Sequence, residues 1–183
     1  MLDLFERALV DAAARPLPER AHTAFAQARA RFPAQAAAML PPDDDLGGPG
    51  ASLLVAASDG AQLWLEWLGE QAARLVRDGQ TVARAAPHTL RELARDQPEA
   101  RGADIPGVLV RLLAAHQPDA HSDRLAAAVR PGDLLVLTSH EPADATTIDG
   151  RAAAQAIADQ LVARAFAVVR EPAYALAVVL RWT

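Results

Sequence analysis

The feature that most constrains the fold is a short apolar run that begins directly after a turn signal. The segment Arg130-Pro-Gly-Asp133 is rich in turn-forming residues, and Leu134 to Leu137 is an uninterrupted apolar run. Such a run is typical of a strand that is covered on both faces, as in a parallel sheet flanked by helices. In open sheets of that kind, ligands bind beyond the carboxyl ends of the strands. The run therefore predicts a site at Thr138, Ser139 and His140.

The composition excludes several classes of function. The chain has 183 residues, enough for one domain with its own core, and it contains neither cysteine nor lysine. Disulfides, thiolate metal sites, thiol catalysis, a Walker A loop and Schiff-base chemistry are therefore excluded. A net charge of -5 with scattered arginines argues against nucleic-acid binding.

Targeting signals are not apparent in the sequence. The first segment carries Asp3, Glu6 and Asp11 among its apolar residues, which is unlike a signal peptide. Apolar runs elsewhere are far shorter than the roughly twenty residues that span a bilayer. We therefore expect a cytoplasmic protein that has no membrane partner.

Periodicity and turn residues divide the chain into an N-terminal helical pair and an α/β core. We predict one domain over residues 1–183, with two helices in 1–40 (2–14 and 19–39), an acidic loop over 41–50 and the core over 51–183. Predicted core strands are 52–57, 81–85, 133–138, 166–169 and 175–180, and predicted core helices are 61–77, 87–96, 106–115, 122–129 and 147–164. This alternation predicts an α/β fold with a mostly parallel sheet flanked by helices.

A second candidate site follows the first predicted strand of the core, at Ser58, Asp59 and Gly60. Like Ser139, this turn is expected to precede a helix, and the N-terminus of a helix is a natural seat for a phosphate. Ser and Asp are also ordinary helix-capping residues, so a structural role for this turn stays open.

Histidines and acids near these turns suggest further chemistry. His116 and His121 flank a loop that could reach a strand end, which makes them weak candidates for a general acid or base, with a polar loop as the alternative. The segment from His140 to Asp144 matches no metal-ligand spacing, and Pro142 prevents a regular helix there, so we predict no metal and no cofactor. Adjacent Ser and His on an extended backbone point apart, which argues against a hydrolase triad.

One stretch of the chain resembles a known family. The segment from Ser122 through Arg130-Pro-Gly-Asp133 to Ser139 resembles the SIS (sugar isomerase) domain, in the branch of phosphoheptose isomerase and the DnaA initiator-associating protein. That branch has a Ser-Arg-Gln-Val-type helix before Arg-Pro-Gly-Asp, an apolar strand and a Ser-rich loop. The helical region before Ser52 also has the family's spacing. The resemblance implies an SIS-like fold that binds sugar phosphates.

The chain departs from that family where the phosphate would bind. Ala57-Ser-Asp-Gly-Ala61 replaces Gly-Asn-Gly-x-Ser, and Ser139-His-Glu-Pro-Ala-Asp144 replaces Ser-x-x-Gly-Asn-Ser. Because added carboxylates repel a phosphate dianion, the resemblance implies a domain that binds a phosphosugar-type ligand or a protein partner without isomerase activity. Two alternatives stay open, namely an active phosphosugar isomerase using Ser58 and Ser139, and a structural or regulatory subunit of an assembly.

Two further expectations follow from the sequence. SIS-like domains usually pair through helices, and the Ala-rich first helices suit close packing, so we expect a homodimer or homotetramer. Pro131 to Ser139 also resembles metal-dependent serine/threonine phosphatases, which carry Pro-Gly-Asp, an apolar strand and then Ser-Asp-Gly. This chain lacks the metal-binding Asp-Gly after Ser139, and its helix-rich prediction favours the SIS resemblance.

Overall fold

The computed structural model describes residues 10, 14–38, 50–95, 97, 99, 105, 107–114, 117, 119–139, 148–168 and 175–183. Within them the helices are α1 (Leu17–Ala38), α2 (Leu90–Leu93) and α3 (Ala154–Val168). The strands are β1 (Leu53–Ser58), β2 (Gln62–Leu68), β3 (Ala72–Arg77), β4 (Gln80–Ala85), β5 (Asp123–Ala128), β6 (Leu134–Thr138) and β7 (Ala177–Arg181).

The strands form two antiparallel sheets. Among the described residues, sheet 1 has the order β1-β2-β5 and sheet 2 the order β4-β3-β6-β7. The sheets pack face to face because alternate residues of each strand are apolar on the inner side. Leu63, Leu65 and Trp67 of β2 meet Leu75 of β3 and Leu135 of β6 in this core.

One long helix covers the outer face of each sheet. On sheet 1, Phe25 and Phe32 of α1 pack against Val55 and Leu68. On sheet 2, Val76, Leu134 and Val136 pack against Ile157 and Leu161 of α3. The layers therefore run helix, sheet, sheet, helix, and strands in both sheets are apolar on two faces. Neither α1 nor α3 is apolar over a long enough stretch to cross a membrane.

The predicted mostly parallel, SIS-like sheet is wrong, because every strand pairing described is antiparallel. The predicted helix over 61–77 is β2 and β3, joined by a short connection at Gly69, whose φ is +117°. The predicted helix over 122–129 is β5. In β2 one face meets sheet 2 and the other meets α1, so apolar residues occur on both faces and hide the period of two.

Several elements were nevertheless predicted correctly. The strands expected over 52–57, 81–85, 133–138 and 175–180 are β1, β4, β6 and β7, and the helix expected over 19–39 is α1. The helix expected over 147–164 is correct only from Ala154, where α3 begins. Only part of the helix expected over 87–96 forms, as α2. The strand expected over 166–169 is wrong, since its described residues continue α3, and the described residues of 106–115 are not helical. Most of the predicted helix 2–14 and nearly all of the loop 41–50 lie outside the described residues.

Asp133 organises the turn between β5 and β6. Its carboxylate accepts hydrogen bonds from Nε and Nη2 of Arg77, at 2.9 and 2.7 Å, and from the backbone N-H of Arg130 at 2.9 Å. The hydrogen bonds from Arg77 lower the pKa of Asp133. Gly132 adopts a φ of +92°, which favours glycine at this turn. The Pro-Gly-Asp segment thus ties the end of β3 to the start of β6.

Candidate functional site

The two candidate sites lie at opposite ends of the sandwich. Ser58 pairs with Leu63 near the start of β2, whereas Thr138 pairs with Ala72 at the start of β3. Because β2 ends close to where β3 begins, the start of β2 and the start of β3 are at different ends. We call these the Ser58 end and the Thr138 end. Ser58 and Thr138 both follow from predicted strand ends that would meet at one edge of a parallel sheet, but in the antiparallel sheets they lie at opposite ends.

At the Ser58 end, the predicted residues form a tight turn between β1 and β2. The hydroxyl of Ser58 donates to the carbonyl of Gln62 at 2.7 Å, and Asp59 Oδ1 accepts from the N-H groups of Ala61 and Gln62 at 2.9 and 2.8 Å. These backbone donors, that of Gln62 first, lower the pKa of Asp59. Gly60 has a φ of +94° in the same turn. The turn leads into a strand and not into a helix, so the expected helix N-terminus is absent here.

At the Thr138 end, β6 and β7 leave a shallow pocket beside α3. Thr138 is buried, and Ser139 exchanges two hydrogen bonds with Leu176: its N-H donates to the carbonyl at 3.0 Å, and its Oγ accepts from the N-H at 3.1 Å. The pocket is lined by Thr138, Ser139, Leu161, Val162, Ala165, Ala175, Leu176 and Ala177. Its lining is mostly apolar. His140, the third residue predicted for this site, lies outside the described residues.

A buried histidine near the same end belongs to a polar cluster. His88 is 3% exposed and stacks on Trp67. Its Nδ1 accepts from the N-H of Gly69 at 3.2 Å, so its Nε2 carries the proton and faces Oδ2 of Asp123 at 3.1 Å. Arg111 donates to both carboxylate oxygens of Asp123, at 3.0 and 2.9 Å. Both ring nitrogens are engaged, so the cluster joins the sheets and leaves no nitrogen for acid-base work.

Charge and burial act in opposite directions within this cluster. Burial and the positive charge of Arg111 lower the pKa of His88, although the hydrogen bond to Asp123 opposes them. The hydrogen bonds from Arg111 lower the pKa of Asp123. A neutral imidazole beside an ionised carboxylate is therefore the stable state of the pair at neutral pH.

A second polar cluster fastens α1 to sheet 1. Glu66 is buried, and its two oxygens accept from the hydroxyl of Ser122 at 2.7 Å and lie 2.9 Å from Nδ1 of His22. Arg124 lies 3.2 Å from the same carboxylate and 3.1 Å from Nε2 of His22. Serine and histidine both contact the carboxylate and not each other. The group is therefore not a nucleophilic triad but a polar joint between helix and sheet.

The remaining candidates do not extend these clusters. His121 is exposed, and its backbone carbonyl accepts a hydrogen bond from Arg111 at 3.1 Å. His116 lies outside the described residues. Their expected role as an acid or base stays a prediction.

Sequence reasoning missed both polar clusters. Their members lie 35 and 56 residues apart along the chain, in the pairs His88 with Asp123 and Glu66 with Ser122. The one local signal is Glu66 itself, a carboxylate between Leu65 and Trp67 in a strand that is otherwise apolar on both faces. Such a residue indicates a buried polar partner without naming it.

Comparison with solved structures corrects the family expectation. The chain is similar in structure to the Mycobacterium tuberculosis serine/threonine phosphatase PstP, with a TM-score of 0.68 and 17% sequence identity. The superposition covers 99% of this chain and 83% of PstP. PppA of Pseudomonas aeruginosa, a regulatory component of its type VI secretion system, superposes over 97% of this chain and 78% of PppA, with a TM-score of 0.67 and 19% identity. The PPM Ser-Thr phosphatase MsPP of Mycobacterium smegmatis superposes over 97% of this chain and 79% of MsPP, with a TM-score of 0.65 and 23% identity.

These similarities establish the fold. The chain has the fold of PPM-type serine/threonine phosphatases, and the resemblance to SIS sugar isomerases is wrong, as are the phosphosugar and isomerase functions inferred from it. The second resemblance, carried by Pro131 to Ser139, agrees with this fold. No family model matches the sequence, and no curated protein matches it either.

The residues described do not fit the metal centre of such a phosphatase. One PstP structure contains two manganese ions. In the described part of this chain, no three histidine or carboxylate side chains come together in a way that could hold a metal ion. After Ser139 the sequence continues His140-Glu141, where the resemblance of Pro131 to Ser139 to metal-dependent phosphatases implies Asp-Gly. An imidazole is a less suitable ligand than a carboxylate for Mn²⁺ and Mg²⁺, which prefer hard oxygen ligands.

Proposed function

We propose that this chain is a PPM-fold protein that recognises phosphorylated serine or threonine segments of other proteins and does not hydrolyse them through bound metal ions. The fold supports recognition of such segments, because solved structures that share it are serine/threonine phosphatases. The lack of a cluster of metal ligands among the described residues supports the absence of metal-dependent hydrolysis. The cysteine-free sequence suits the reducing cytoplasm, which we propose as its location.

The observation that carries the proposal is the contrast between a retained scaffold and an altered strand end. The turn at Asp133 and the buried strand after it keep the arrangement expected for the fold. At the end of that strand, Thr138 and Ser139 are followed by His140 in place of the metal-binding aspartate. With no cluster of metal ligands among the described residues, the scaffold can present a surface without the ions that activate water.

A second candidate function is metal-dependent hydrolysis with a different ligand set. Asp43, Asp44 and Asp45 form one acidic run, and Glu141 and Asp144 follow β6. Carboxylates are suitable ligands for Mn²⁺ and Mg²⁺. All five residues lie outside the described part of the chain, so the two candidates are separated by experiment.

The two halves of the proposal have separate readouts. We expect no Mn²⁺-dependent phosphate release from phosphothreonine peptides above the buffer rate, with MsPP as the positive control. In fluorescence anisotropy, we expect a phosphothreonine peptide library to bind more tightly than its unphosphorylated counterpart. Mn²⁺-dependent turnover that is lost in Glu141→Ala or Asp144→Ala would establish the second candidate instead. Equal binding of both libraries would contradict phosphopeptide recognition.

A further inference from the structure

The two sheets of the sandwich differ in width. In the described residues, sheet 1 has three strands and sheet 2 has four. At one side β5 of sheet 1 contacts β4 of sheet 2. Counting strands from there places β2 opposite β3 and β1 opposite β6, so β7 has no counterpart among the described strands of sheet 1. As far as the described strands go, the sandwich is therefore open along the side where β1 and β7 form the edges.

The inner face of β7 is apolar and exposed at this opening. Leu180 and Val178 pair with Leu135 and Leu137 and so share the inner face with them. Yet Val178 is 38% exposed and Leu180 is 51% exposed. Their outer-facing neighbours on β7 pack on α3 instead. Two consecutive inner-face positions of β7 are therefore uncovered.

The edge of sheet 1 is open on the same side. Ala56 of β1 pairs with Leu65 and so faces the inner core, but Ala56 is exposed. Neither 51–58 nor 175–180 contains a charged residue, a proline or a glycine. Sheet edges are usually protected from pairing with another chain by such residues or by a covering segment. Among the described residues, and apart from Arg181 at the end of β7, both edges at this opening lack such protection, which makes them a site for strand addition.

We propose that the opening is occupied by a second copy of this chain, with β7 of each copy pairing with β1 of the other. Because sheet 2 has one strand more than sheet 1, the open side of one copy is complementary to the open side of another. The overhanging β7 of one copy becomes the fourth strand beside the three-stranded sheet of the other, and the exchange is reciprocal about a twofold axis. Each layer of the dimer then contains four strands from one copy and three from the other.

This arrangement buries the exposed apolar groups that a single copy leaves open. The two β7 strands face each other across the core, so Val178 and Leu180 of each copy contact those of its partner. Both β1 and β7 run from the Thr138 end towards the Ser58 end, and a twofold axis along the strands keeps these directions. The new β1-β7 pairs are therefore parallel. Residues 51–58 and 175–180 carry no charge, and Arg181 at the end of β7 donates hydrogen bonds to the carbonyls of Gly150 and Ala152 in its own chain.

Sedimentation velocity over a concentration series tests this dimer. We expect wild type to sediment as a dimer of the 19.4 kDa chain and Val178→Glu to sediment as a monomer, because a carboxylate in the interface would face its own copy across the axis. Val82→Glu is the matched control: Val82 is 48% exposed on β4, at the closed side, and this variant should stay dimeric. Monomeric wild type, or equal dissociation of both variants, would overturn the proposal.

Disulfide trapping gives a second readout that does not depend on a charged substitution. The chain has no cysteine, so single cysteines introduce the only thiols. Under mild oxidation, a mixture of Ala56→Cys and Val178→Cys proteins should form a covalent heterodimer. A mixture of Val82→Cys and Val178→Cys should not. Equal yields of the covalent heterodimer in the two mixtures, counted apart from Val178→Cys homodimers, would contradict the β1-β7 pairing, and neither result depends on whether the protein recognises phosphopeptides.

Discussion

Asp133→Ala is expected to lower the free energy of unfolding by about 3 kcal/mol, the low end of the cost of breaking a buried ion pair. Asp133 is 2% exposed, and its carboxylate accepts three hydrogen bonds, two from Arg77 and one from the backbone of Arg130. Removing it leaves these donors without their acceptor and loosens the turn into β6. In urea unfolding, with a slope of about 2 kcal/mol/M, the midpoint should fall by about 1.5 M.

Asp119→Ala is the control for this measurement. Asp119 is exposed in a turn, and an exposed substitution of this kind is expected to change the free energy of unfolding by less than about 0.5 kcal/mol. If Asp133→Ala and Asp119→Ala shift the urea midpoint equally, the carboxylate of Asp133 does not hold the turn.

The contribution of Asp133 also depends on pH in a defined direction. Hydrogen bonds from Arg77 hold its pKa in the folded state below the unfolded value of 3.8. Its stabilisation is therefore fully present above pH 3.8 and is lost as the pH falls through the folded pKa. The difference in stability between wild type and Asp133→Asn should accordingly shrink on acidification. A constant difference down to the acid limit would show that ionisation of Asp133 is not the source.

Gly69→Ala is the second substitution with a large expected effect. Gly69 joins the two sheets, has a φ of +117°, and a Cβ placed on it would lie 2.7 Å from Cα of Ser52. A backbone atom cannot move away cheaply, and the N-H and carbonyl of Gly69 are both bonded to His88. Strain at positive φ costs about 1–2 kcal/mol, and overpacking adds about 1–3 kcal/mol. We therefore expect a loss of about 2–5 kcal/mol in thermal or urea unfolding.

Gly60→Ala separates the two causes. Gly60 also has a positive φ, of +94°, but a Cβ there would meet no atom within 4 Å. Only the backbone term applies, so the loss should be about 1 kcal/mol. Equal losses in the two variants would mean that the close approach of Gly69 to Ser52 contributes nothing.

The strand after Asp133 shows which part of the fold could be predicted from the sequence. Leu134 to Leu137 is buried on both faces as predicted, but its two covers are sheet 1 and α3. An apolar run covered on both sides therefore does not distinguish a parallel sheet between helices from an antiparallel sheet between a sheet and a helix. The same ambiguity made β2 and β3 resemble one long helix.

The candidate site was harder to predict because its contacts are distant in sequence. Ser58 and Thr138 both end strands, as expected, yet antiparallel pairing sends those ends in opposite directions. The contact between His88 and Asp123 depends on β4 and β5 lying at the same side of the two sheets, which no local pattern encodes. The open edges at β1 and β7 likewise follow from strand order and not from composition.

Calorimetric titration with Mn²⁺ tests the central claim, that this chain keeps the PPM fold without its metal centre. We expect no saturable binding of Mn²⁺ to the purified protein. PstP, whose structure contains two manganese ions, is the positive control under the same conditions. Saturable binding of Mn²⁺ by this chain, weakened by substituting Glu141 or Asp144, would contradict it.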